Sequence, residues 1–95
     1  MSTNQNKLYS KAMDRRIQRL LFLKENESTN IDKTIDSLIS ELIGYQGFVY
    51  HGEEYGHLYE ILKAKLNSLK SIDDFAHYRR EVFKCKNICQ QLAEK

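Results

Sequence analysis

The chain has 95 residues, a net charge of +2 and 41% hydrophobic residues, with six tyrosines, four phenylalanines and no proline. A chain of this length predicts one domain, residues 1–95, with a modest core and little room for a deep active-site cleft. Its hydrophobic content excludes a disordered chain, and no apolar run approaches the roughly 20 residues of a transmembrane helix. Because the first residues lack a hydrophobic signal segment, we expect a cytoplasmic protein.

Four segments carry hydrophobic side chains at the three- and four-residue spacing that predicts amphipathic helices. The first spans residues 6–25 and follows a segment, residues 1–5, that we expect to fray. A polar connector separates it from the second, residues 31–45, whose start Thr29 or Asn30 is expected to cap. The second helix has a wide apolar stripe, suited to packing against two neighbours.

The third helix is predicted over residues 53–70 and the fourth over residues 72–93, with Ser71 as the cap of the fourth. Hydrophobic residues of the fourth helix alternate steps of three and four, which is typical of a bundle seam. These seam residues are Phe75, Tyr78, Val82, Cys85, Cys89 and Leu92. The two cysteines are interpreted as small buried apolar residues rather than a disulfide, which fits a reducing compartment.

Four amphipathic helices joined by short links predict an all-α, antiparallel four-helix bundle. The alternative is that the second and third helices fuse into one bent helix through the glycine-containing segment between them. A three-helix chain of that kind would pair with a second copy as a homodimer.

Charge is distributed unevenly along the chain. Residues 1–24 contain six basic side chains and one acidic one, residues 25–60 contain eight acidic and one basic, and residues 61–95 contain eight basic and four acidic. Basic ends and an acidic middle either attract each other within one bundle or face different partners.

Two carboxylate-x-x-His units, at residues 54–57 and 74–77, match part of a di-iron pattern. Helical spacing places His77 on the outer side of the fourth helix, however, and Cys85 with Cys89 would supply at most two ligands to zinc. The sequence also shows no nucleophile elbow or phosphate-binding loop. We therefore expect no metal site, no cofactor and no enzymatic activity.

All four glycines fall within 13 residues around the junction of the second and third helices, at Gly44, Gly47, Gly52 and Gly56. Glycine allows a backbone to approach closely, and tyrosine offers a large contact area that tolerates water. The predicted partner-binding residues at this junction are Tyr45, Tyr50, Glu53, Glu54, Tyr55 and Tyr59. This acidic, tyrosine-rich junction predicts a small non-enzymatic binding or regulatory protein, of the inhibitor, immunity or anti-factor type, that captures a protein partner.

The alternative function is nucleic-acid binding by an accessory or regulatory protein. A basic band follows the first helix and could lie along phosphates. Its members are Lys7, Lys11, Arg15, Arg16 and Arg19. Basic residues of the fourth helix, Arg79, Arg80, Lys84 and Lys86, would extend the band if the first and fourth helices are neighbours.

Overall fold

The computed structural model describes the backbone of residues 2–49 and 53–94 and the side chains of residues 7–45 and 56–94. In these ranges the helices are α1 (Ser2–Glu25), α2 (Ile31–Val49), α3 (Glu53–Ser68) and α4 (Phe75–Glu94), with a 3₁₀ turn (Leu69–Ser71) between α3 and α4. Each helix packs against its neighbours in the order α1, α2, α3, α4 and back to α1. The predicted all-α four-helix bundle is therefore confirmed. Because α2 packs directly against α3, the alternative of one fused helix is wrong.

Two helix ends in the first half of the chain differ by four residues from the predicted bounds. The backbone is helical from Ser2, within the segment that was expected to fray, and α2 continues past residue 45 to Val49. Gly44 therefore lies inside α2, where a glycine costs only about 1 kcal/mol relative to alanine. The ring of Tyr45 stacks on that of Tyr9 with 4.4 Å between centroids, which stabilises this last part of α2 against α1.

The start of α4 differs from the prediction because Asp74, not Ser71, is the capping residue. The Asp74 carboxylate accepts a hydrogen bond from the backbone N–H of His77 at 2.8 Å. Its carbonyl accepts the first helical bond, from the N–H of Tyr78, at 2.9 Å. The Ser71 hydroxyl instead donates to the carbonyl of Ser68 at 3.0 Å and closes the 3₁₀ turn. An aspartate satisfies the free N–H groups of a helix start as well as a serine does.

Buried side chains from all four helices and the 3₁₀ turn form one cluster. Its members are Met13, Ile17, Leu20, Ile35, Leu38, Leu42, Tyr59, Leu62, Leu66, Leu69, Tyr78, Val82, Cys85, Ile88, Cys89 and Leu92. The predicted seam of α4 is thus confirmed except at Phe75, the first residue of the helix, which is exposed. Both cysteines are buried and free, as predicted. Among the described residues no helix has the length and apolar character that crossing a bilayer requires.

The C-terminal end of α1 is tied to the start of α4 by Lys24 and Tyr78. The Lys24 ammonium donates a hydrogen bond to the carbonyl of Ile72 at 3.0 Å and lies 5.2 Å from the centre of the Tyr78 ring. The Tyr78 hydroxyl donates to the carbonyl of Leu20 at 3.4 Å, across the two helices. These contacts fix the register of α4 against α1 at one end of the bundle.

The turn that follows α1 contains a residue in the left-handed region, Glu27, with φ of 54°. The N–H of Ser28 donates to the carbonyl of Leu23 at 2.9 Å, and the N–H of Glu27 donates to that of Lys24 at 3.1 Å. This pair of bonds is a Schellman motif, whose left-handed position glycine usually occupies. A side chain at that position costs roughly 1–2 kcal/mol.

We expect the substitution Glu27→Gly to raise the free energy of unfolding by about 1 kcal/mol, because glycine adopts this backbone conformation without strain. Urea titration followed by circular dichroism measures the change. As a control, Ser40→Gly on the exposed side of α2 should lower the free energy by about 0.5 kcal/mol. A loss of stability in both variants would contradict the assignment of strain to Glu27.

Candidate functional site

Tyr59 is not part of the surface at the α2–α3 junction, where the sequence analysis placed it. Its side chain is 1% exposed and lies in the core. The spacing of Tyr59, Leu62, Leu66 and Leu69 is three, four and three residues, and all four side chains are buried. Placing Tyr59 among the partner-binding residues was therefore wrong, because the residue belongs to the seam of α3.

Of the other residues predicted for that site, only Tyr45 has a described side chain. Tyr45 is half-buried and its ring is stacked on that of Tyr9 in the first half of α1. Tyr50 lies outside the described residues. Glu53, Glu54 and Tyr55 belong to α3, but their side chains lie outside the described residues. Binding of a partner at the α2–α3 junction therefore remains a prediction.

Neither metal pattern in the sequence is assembled in the described part of the fold. Asp74 caps α4 and His77 is exposed. Burial raises the pKa of the Cys85 and Cys89 thiols from 9.0 to about 12, so both are protonated and poorly nucleophilic at neutral pH. Within the described residues, no group of three His, Cys, Asp or Glu side chains is placed to hold a metal ion.

A basic surface extends over α1 and α4, which lie side by side. Six of its cations are exposed and have no ion-pair partner among the described side chains. They are Lys7, Lys11, Arg15 and Arg19 on α1, and Arg79 and Arg80 on α4. Arg16 differs from the rest of the predicted band, since it forms an ion pair with Glu41 of α2. The other four members of the band are exposed, and Arg19 also lines a depression between α1 and α2.

Two long polar side chains join the helices at the middle of this surface. The Lys86 ammonium donates a hydrogen bond to the side-chain carbonyl of Gln18 at 2.7 Å. The same ammonium lies 5.4 Å from the centre of the Phe83 ring, and the Arg79 guanidinium lies 5.4 Å from it as well. Cations at this distance attract the electron-rich face of the ring, so they hold Phe83 in place at the surface.

Each of the two helices carries a shallow depression that combines one phenylalanine with two arginines. The depression on α1 is lined by Arg15, Gln18, Arg19, Leu21, Phe22 and Glu25. The depression on α4 is lined by Ala76, Arg79, Arg80, Phe83 and Lys84. Phe22 is 62% exposed and Phe83 is 43% exposed. We call the surface formed by Lys7, Lys11, Arg15, Gln18, Arg19, Phe22, Arg79, Arg80, Phe83 and Lys86 the α1–α4 face.

Two carboxylates outside this face are paired with other cations. Asp36 of α2 forms an ion pair with Lys70 of the 3₁₀ turn. Glu81 of α4 pairs with Lys84 at 2.9 Å and with Lys65 at 3.8 Å. The hydrogen bond from Lys84 is the main cause that lowers the pKa of Glu81 below its ordinary value. Neither carboxylate is paired with a cation of the α1–α4 face, and Glu25 is the one carboxylate among the residues that line the depression on α1.

The sequence analysis identified neither Phe22 nor Phe83 as a surface residue of a candidate site. Phe22 lies three residues after Arg19 and seven after Arg15, so the helical spacing puts all three on one side of α1. That spacing was the signal that could have identified an aromatic residue within the basic band.

Comparisons with protein-family models, with curated proteins and with solved structures find no match. The fold itself places the protein in the class of all-α four-helix bundles. Its candidate site is defined by the cations and exposed rings of its own first and fourth helices.

Proposed function

We propose that this protein is a small nucleic-acid-binding protein, acting without a catalytic step through the α1–α4 face. The observation that carries the proposal is the set of six exposed cations without ion-pair partners among the described side chains, next to two exposed phenylalanines. Neutralisation of phosphates by lysine and arginine supplies most of the affinity in sequence-independent nucleic-acid binding.

The choice of side chains also supports the proposal. Four of the six cations are arginines, whose planar guanidinium groups form paired hydrogen bonds with phosphate oxygens. Antiparallel helices place these groups along the long axis of a bundle whose greatest extent is 40 Å. The two free buried cysteines suit a reducing compartment, and we accordingly propose that the protein acts in the cytoplasm.

The test is the affinity for a labelled oligonucleotide, measured by fluorescence anisotropy over a series of salt concentrations. We expect measurable binding by the parent protein and an affinity that falls as salt rises. Replacing Lys11, Arg15 and Arg19 together with glutamine should weaken binding at least tenfold. It should also reduce the slope of log affinity against log salt by about 2, because three phosphate contacts are lost.

A control variant removes the same charge elsewhere, by replacing Lys33, Lys63 and Lys70 with glutamine. If nucleic acid binds through the α1–α4 face, this control should retain most of the affinity of the parent protein. Absence of binding by the parent protein at low salt would refute the proposal. Equal losses in the two triple variants would show attraction to net charge rather than to this face.

A second candidate function is capture of a protein partner at the α2–α3 junction. Gly44 lies on the exposed side of α2, and a Cβ atom built there would meet nothing within 4 Å. Packing within the described residues therefore does not require glycine at this position, while close approach of another chain would. Ile43 beside it is 57% exposed and adds apolar surface. A partner bound here should be retained by the variant lacking Lys11, Arg15 and Arg19.

A further inference from the structure

We infer that the α1–α4 face takes up single-stranded nucleic acid, with unpaired bases stacked on Phe22 and Phe83. The inference rests on the proposed function and adds which form of nucleic acid binds. It is carried by the repeated combination of one exposed phenylalanine and two arginines in a single depression, once on α1 and once on α4.

Binding of phosphates alone gives no role to the two rings. A phenyl ring has no hydrogen-bonding group, and the bases of a duplex are already stacked on each other inside the helix. Bases of a single strand are free to stack on an aromatic ring, and proteins that bind single strands combine such rings with a basic groove. Stacking on phenylalanine discriminates little among bases, because every base has a flat aromatic face.

The positions of the arginines fit a nucleotide at each ring. Arg15 and Arg19 lie beside Phe22 in the depression on α1. In the depression on α4, Arg79 and Arg80 lie beside Phe83. A base on either ring would therefore have two guanidinium groups close by for the phosphates on its 5′ and 3′ sides.

The two rings border one bridge between the helices. Phe22 lies one helical turn after Gln18, and Phe83 lies three residues before Lys86, while Gln18 and Lys86 are hydrogen bonded. Because α1 and α4 run antiparallel, both rings lie on the same side of the Gln18–Lys86 pair along the bundle, and a strand that crosses from α1 to α4 there would meet one ring and then the other. Among the described side chains no ring or cation covers the face of Phe22, whereas Arg79 and Lys86 lie near that of Phe83. An arginine beside a stacked base adds to the attraction through its own cation–π contact.

A second copy of this chain is a poor occupant of the surface, because two faces that both carry uncompensated arginines repel each other. A strand of nucleic acid supplies the opposite charge together with flat apolar rings. Both features of the α1–α4 face are then used by one ligand.

The experiment compares an oligothymidylate, a duplex of the same length and inorganic polyphosphate, the last as a competitor that has charge but no bases. We expect the parent protein to bind the single strand at least tenfold more tightly than the duplex. Replacing Phe22 and Phe83 with alanine should weaken single-strand binding about 30-fold, since each stacked base contributes a severalfold factor or more. Binding of the duplex should change little.

Tryptophan at both positions should restore or increase the affinity for the single strand, because it keeps an aromatic face. Ile43→Ala, which removes exposed apolar surface from α2, is the matched control and should bind like the parent protein. Thermal unfolding of each variant checks that the bundle is intact. If alanine at both positions destabilises the fold, the comparison is made with Phe22→Ala alone, whose ring is the more exposed.

The possible results test base stacking separately from the proposed function of nucleic-acid binding. Equal affinity for single strand and duplex, unchanged by loss of the rings, would overturn base stacking and leave phosphate binding in place. Competition by polyphosphate as effective as that by oligothymidylate would also overturn base stacking. Failure of the parent protein to bind any of the nucleic acids would overturn the proposed function itself.

Discussion

Between pH 9.0 and about 10.5 we expect the protein to lose about 3 kcal/mol of its free energy of unfolding, because two thiols stay protonated in the native state. In the unfolded chain Cys85 and Cys89 ionise near pH 9.0, whereas burial raises their native pKa to about 12. Above pH 9.0 the unfolded state therefore binds fewer protons than the native state, and stability falls as pH rises. Below about pH 8 the thiols are almost fully protonated in both states and contribute little pH dependence.

Urea titrations at several pH values, in the presence of a reductant, measure this loss. The control is the double variant Cys85→Ala, Cys89→Ala, whose absolute stability is lower but whose slope against pH should be much flatter. A smaller slope should remain above pH 10, because burial raises the pKa of Tyr78 from 10.0 to about 12. The same slope in the parent protein and the double variant would contradict the assignment.

The second large effect is expected at Tyr78. Replacing it with alanine should lower the free energy of unfolding by about 3–5 kcal/mol, as for other large aromatic side chains in a core. The side chain is fully buried, its hydroxyl bonds the carbonyl of Leu20 and its ring lies beneath the Lys24 ammonium. A domain of this kind has about 5–15 kcal/mol of stability in total, so the variant should be partly unfolded in dilute urea.

Tyr78→Phe separates the ring from the hydroxyl. It keeps the buried ring and its contact with Lys24, and removes only the bond of 3.4 Å to the carbonyl of Leu20. We expect this variant to lose about 1 kcal/mol, the usual net value of one hydrogen bond. Similar losses in the alanine and phenylalanine variants would show that the hydroxyl, and not the packing of the ring, stabilises this end of the bundle.

The fold was predictable because the hydrophobic spacing is strong. In α4, the seam residues Tyr78, Val82, Cys85, Cys89 and Leu92 follow steps of three and four, and all are buried. Helix ends were harder to predict, because they depend on local hydrogen bonds that compete. Ser71 and Asp74 are both good caps by residue type, and only the 3₁₀ turn, which uses the Ser71 hydroxyl, decides between them.

The sequence predicted the cations of the candidate site on α1 but not its two exposed phenylalanine rings. Spacing on α1 identified the cations of the band, and exposure of Lys11, Arg15 and Arg19 agrees with it. Phe22 and Phe83 were not identified as exposed, because hydrophobic spacing alone does not show which side of a helix meets a neighbour. That side is set by the packing of α1 on α4, which a single sequence does not show.

The helices that form the α1–α4 face are the two most distant from each other along the chain, and they are joined at the surface by the Gln18–Lys86 bond. Neither half of the chain contains the whole face, so it exists only when the entire bundle has assembled. A ligand that spans it would bind the native state alone, and at a concentration 100 times its dissociation constant it would add about 2.7 kcal/mol of stability. Occupancy would then also protect the protein from heat and from proteases that attack opened chains.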